Sequence, residues 1–103
     1  MNETKLFNDA REKFGSDYQI IIAIEEMSEL TKVLTKYLRD KEHIDMGALR
    51  EEVADVEIML KEIKLMFGYT DNPRMWEREY EHKLERLYFR VYDKFYKKPG
   101  QKF

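Results

Sequence analysis

The feature that most constrains this chain is how rarely it is interrupted. Its four glycines and two prolines leave residues 16–46, 48–67 and 74–98 with neither. Those stretches are filled with Leu, Glu, Lys, Arg and Met, the residues that lose least on entering a helix. The spacing predicts a first helix over about residues 3–14, ended by Gly15. Ser16-Asp17-Tyr18-Gln19 reads as a capping box, with Ser16 at the N-cap, opening a second helix to about Leu38. Its apolar positions are Ile20, Ile24, Met27, Leu30, Leu34 and Leu38. After a polar loop at 39–43, a third helix is expected from Asp45 to Phe67, stopped by Gly68. Leu49, Val53, Val56, Leu60, Ile63 and Phe67 form its stripe. Asn72-Pro73 opens a fourth, with Asn72 as N-cap and Pro73 in the first turn. Trp76, Tyr80, Leu84, Leu87, Val91 and Phe95 run along it. The expected fold is all-α, a bundle of about four helices around a central antiparallel hairpin. At 103 residues one domain is expected over 1–103, with a basic tail at about 97–103.

Composition narrows the chemistry. There is no cysteine, which excludes disulfides, cysteine-based zinc sites and thiol catalysis. A net charge of −2 is the wrong character for a general nucleic-acid binder, so no nucleic-acid partner is expected. The N-terminus lacks the apolar core of a signal peptide, and no run is long enough to span a bilayer. A soluble, cytoplasmic protein with no membrane partner is the expectation.

Two short acidic motifs stand out on the hairpin: Glu26-x-x-Glu29 and Glu52-x-x-Asp55. Placed around ideal helices, Glu26 and Glu52 fall inside the apolar arcs, and Glu29 and Asp55 lie at their borders. Glu25 and Glu51 point away. Residues three apart share a helix face, so each motif presents two carboxylates to one locus. Acids on a core-facing stripe lose their charge or find a cation. A hard divalent ion such as Mg2+ suits an all-carboxylate set. A di-iron bundle would instead call for Glu-x-x-His pairs on two helices; Glu79-x-x-His82 supplies one, but His43 follows Asp40 by three residues, so a second is missing.

With their contexts IAIEEMSELTK and LREEVADVEIML, the two motifs resemble the ExxE…ExxD signature of the MazG-like all-alpha nucleoside triphosphate pyrophosphohydrolases, particularly short phage-type members. The resemblance covers about residues 18–67 and is looser over the fourth helix. It implies Mg2+-dependent hydrolysis of a nucleoside or deoxynucleoside triphosphate to the monophosphate and pyrophosphate, with Mn2+ as a substitute ion. Glu26, Glu29, Glu52 and Asp55 would hold the metal and form the catalytic set. Lys83 and Arg86 on the fourth helix, with Lys36 and Lys32 as weaker candidates, would meet the phosphates. Tyr37 stands near where deoxycytidine-type members carry a tryptophan. Gln19 would meet the sugar or base, or cap its helix. Dimers or tetramers are implied as well, and Phe89, Tyr92 and Tyr96, off the main stripe of the fourth helix, suit a self-association surface. The competing reading is a non-enzymatic helical interaction or nucleotide-binding module whose acids serve solubility.

Overall fold

In a computed structural model the chain is described over residues 1–93, and every regular element there is an α-helix. These are α1 (Glu3–Phe14), α2 (Ser16–Arg39), α3 (Met46–Met66) and α4 (Pro73–Tyr92). They fall into two compact units, the first ending at Phe67 and the second beginning at Gly68. The tail at 97–103, and with it Phe95 and Tyr96, lies outside the described residues.

The first unit is a hairpin of α2 and α3 with α1 laid against both. A single residue joins α1 to α2. Gly15 has φ +91° and ψ 149°, a conformation essentially reserved for glycine. Its N–H donates to the Arg11 carbonyl at 2.8 Å, closing α1. Its own carbonyl accepts from Gln19 N–H at 3.1 Å, opening α2. The expected capping box therefore does not form: Gly15 is the N-cap, Ser16 is already helical, and no side chain caps the helix. Gln19 is freed from a capping role. Asp45 does cap α3, accepting from Ala48 N–H at 3.0 Å. Asn2 does the same for α1 through Lys5 N–H.

Each hairpin helix carries two seams of alternating three- and four-residue spacing, the spacing of helix-to-helix packing. The inner seam, where α2 and α3 meet, runs Gln19, Ala23, Glu26, Leu30 on α2 and Glu62, Met59, Asp55, Glu52 on α3. Rising numbers on α2 face falling numbers on α3, so the helices are antiparallel: Gln19 meets Glu62, and Glu26 meets Asp55 and Glu52. Ala23 and Met59 lie between these polar groups, and with Phe7 of α1 they are the buried hydrophobic residues of the described chain. The outer seam holds Ile24, Met27, Leu34 and Leu38 on α2 and Val53, Leu60 and Phe67 on α3, all exposed. An antiparallel pair is related by a two-fold axis normal to its plane, so both outer seams lie on one side of the hairpin.

That division corrects the sequence reading. The stripes expected to form the core are mostly the outer seam, and the surface buried inside the unit is the more polar of the two. The apolar count of a helix says how much must be covered; it does not say which neighbour covers it.

In the second unit Gly68, at φ +98°, makes the turn and accepts from Asp71 and Asn72 N–H at 3.2 and 3.1 Å. Pro73 occupies the first turn of α4, although the Asn72 side chain makes no capping bond. Along the expected stripe Trp76 is half-buried, whereas Tyr80, Leu84, Leu87 and Val91 are exposed. Tyr88 packs on Phe89 edge-on and on Tyr92 at 4.8 Å between ring centroids.

Candidate metal centre

Three carboxylates converge on the inner seam. One oxygen each from Glu26, Glu52 and Asp55 lie within 4.8 Å of one another. Glu26 reaches this point because it follows Ala23 by three residues on the face turned toward α3. Asp55 and Glu52 reach it because they precede Met59 by four and seven on the face turned toward α2. Glu26 and Glu52 are half-buried, and Asp55 is exposed.

The electrostatics of this cluster are unfavourable without positive charge. Burial, then the charges and hydrogen-bonding oxygens of Asp55 and Glu52, push the Glu26 carboxyl above the usual carboxylate range. Glu26 thus holds a proton between neighbouring acids more readily than a free glutamate would. One of the Glu52 oxygens, Oε2, is buried and finds no hydrogen-bond partner among the described residues. An orphaned buried carboxylate oxygen costs about 1–3 kcal/mol or more, the larger figure applying to a charged group. The Glu52 carboxylate stands with two further acids, which fits the donor set of a hard divalent cation, whose ligands are oxygens.

The other residues singled out in the sequence fall in different places. Glu29 is exposed, one turn beyond Glu26, and is not among the three converging acids. Glu25 and Glu51 are exposed. Lys32 and Lys36 are exposed on α2, and Tyr37 is half-buried near its end. Lys83, half-buried, and Arg86, exposed, belong to α4 in the second unit.

Gln19 is the exception. It is 7% exposed, and its amide nitrogen donates to Glu62 Oε2 at 2.8 Å and Oε1 at 3.3 Å, with the amide oriented as its neighbours require. Glu62 is 5% exposed. Burial raises its carboxyl above the ordinary value, and the Arg11 charge on α1 opposes that rise. Glu62, which stands in Lys61-Glu62-Ile63-Lys64, is not among the residues singled out from the sequence. Its signal was there: 52, 55, 59 and 62 continue the spacing of the acidic motif, so an acid at 62 must face the same seam.

Comparison with protein-family models, with curated proteins and with solved structures gives no match. No helix among the described residues is long and apolar enough to cross a membrane.

Proposed function

We propose that this chain is a divalent-metal-dependent nucleoside triphosphate pyrophosphohydrolase of the MazG-like type. The observation that carries this reading is the convergence of the Glu26, Glu52 and Asp55 carboxylates, one of which, Glu52, has a buried oxygen without a hydrogen-bond partner among the described residues. Mg2+ is the ion of choice and Mn2+ its substitute. Glu26, Glu52 and Asp55 hold the ion. A divalent cation bound there supplies charge neutralisation on the triphosphate and a more acidic attacking water. Glu29 is exposed one helical turn from Glu26, and its carboxylate is suited to accept the proton as water attacks the α-phosphorus and pyrophosphate leaves. Lys36, exposed on the helix that carries Glu26, is a candidate for the phosphate oxygens.

The outer seam supports a second part of the reading, self-association. Ile24, Met27, Leu34, Leu38, Val53, Leu60 and Phe67 are 37–66% exposed. Side chains of this kind leave on the order of 600 Å² of apolar surface, the upper end for a monomer's largest patch. That is close to the ~800 Å² each partner gives to a standard interface. Two hairpins joined along these seams make a four-helix core with the acids away from the join. The same exposed seam is what the non-enzymatic interaction module would use.

Pyrophosphate release across a panel of canonical and modified triphosphates, with Mg2+, is the test. Turnover in the wild type and its loss in Glu26→Gln is the expected result. No turnover of any triphosphate rejects the enzyme and leaves the interaction module, whereas full activity in Glu26→Gln rejects the acid cluster as its site.

A further inference from the structure

The outer seam is bordered by charges that find no counter-ion in the hairpin. On α3 Arg50 and Glu57, seven residues apart, lie on one line along the edge of the seam away from α2. This is the flank from which charged residues set the choice and orientation of a packing helix. On α2 Asp17 in the first turn and Arg39 in the last border the seam on its edge away from α3. All four are exposed, and none belongs to an ion pair among the described residues.

These charges share one centre. Arg50 and Glu57 are centred between Val53 and Ala54, and Asp17 and Arg39 are centred on Ser28. Glu25 and Lys32, further round α2, are centred beside Ser28 as well. The inner seam sets Gln19 opposite Glu62 and Glu26 opposite Asp55, which puts Ser28 opposite Val53. The charges of both helices are therefore balanced about one level of the hairpin, where Met27 and Val53 lie in the outer seam. A two-fold axis crossing the seam at that level brings each positive end against the negative end of the same helix in another copy. The apolar surface of the seam approaches the ~800 Å² that each partner gives to a standard interface. We infer that the outer seam takes a second copy of this chain, like helix on like helix and antiparallel. Arg50 then faces the partner's Glu57, and Asp17 faces the partner's Arg39. This rests on the self-association reading above and is independent of the hydrolase. The rival packing lays α3 on α2 of the other copy at the same level. Asp17 then finds the partner's Lys64, but Arg50 stands opposite the partner's Thr31 and Glu57 opposite the partner's Ile24, so fewer charges are answered.

The test is sedimentation, at low salt, of the wild type, of Arg50→Glu, of Glu57→Arg and of an equimolar mixture of the two variants. The wild type should dimerise. Each variant alone sets like charges together in both symmetric pairs and should dimerise at least tenfold more weakly. In the mixture every pair is again of opposite sign, and a heterodimer should form with close to wild-type affinity. The chain has no cysteine, so Val53→Cys reports the axis separately and should cross-link to itself under mild oxidation. A wild type that is monomeric at every attainable concentration rejects self-association and this inference together. A dimer that both variants leave unchanged, or that mixing does not restore, rejects the axis and keeps self-association. So does cross-linking between Val53→Cys and Ser28→Cys chains with none in either alone, the result for α3 on α2.

Discussion

Glu26 on α2 and Asp55 on α3 face each other across the hairpin closely enough to raise the proton affinity of Glu26. Two carboxylates so placed cannot both be ionised cheaply, and Glu52 adds a third. The seam is therefore strained by its own charge unless a proton or a cation relieves it.

Neutralising one member should stabilise the metal-free protein. Glu26→Gln removes a charge and brings an amide donor beside the orphaned Glu52 oxygen. The gain should be about 1 kcal/mol, or several degrees in Tm for a chain of this size. Thermal unfolding in a chelating buffer is the measurement. A fall in Tm there would mean that the cluster is not strained.

The pH dependence has a definite sign. Glu26 and Glu62 both have folded-state proton affinities above those of the unfolded chain. In the metal-free protein each contributes stability that is present at low pH and lost as pH rises from the ordinary glutamate value, about 4.3, through the higher folded value. Adding Mg2+ at neutral pH should restore the part due to Glu26 and leave that due to Glu62. Denaturant midpoints from pH 4 to 8, with and without Mg2+, separate the two. A Tm indifferent to Mg2+ at neutral pH would contradict the metal centre.

Glu52 and Glu29 should fail in different ways. Glu52→Gln alters a converging oxygen and should weaken Mg2+ affinity by tenfold or more. Glu29→Gln leaves those oxygens in place. It should instead lower kcat by about 10²–10⁴-fold, the range for losing a general base, at nearly unchanged Mg2+ affinity. Metal titrations alongside steady-state kinetics check this, and matched losses in both variants would make Glu29 a ligand as well.

Truncating the plug between the polar groups should cost more than removing any surface apolar residue. Met59 is 6% exposed, and Met59→Ala should destabilise by about 2–5 kcal/mol. Chemical denaturation at fixed protein concentration reads the loss. A cost below 1 kcal/mol would show that the seam collapses around the gap.

Much of this was legible in advance. The helices follow from where glycine and proline fall, and the ends at Phe14, Arg39 and Met66 lie within a residue of their expected places. Motif and helical spacing single out the acids at 26, 29, 52 and 55, of which those at 26, 52 and 55 converge. The capping box was misread because a cap depends on the backbone angle of the residue before it, and Gly15 makes the whole turn. The apolar stripes were misassigned because the spacing of Ile24, Leu34, Val53 and Leu60 does not tell whether the other hairpin helix covers them, and in this structure they are exposed. Glu62 was missed because an acid among lysines looks solvated until its position on the wheel is compared with Asp55.

The outer seam has a consequence beyond geometry. Were two hairpins to join along these seams as proposed, the folded fraction would follow abundance through mass action. The acid cluster lies on those same helices. Under the proposed hydrolase reading, output would then fall faster than concentration on dilution, and the molecule would be silent when scarce.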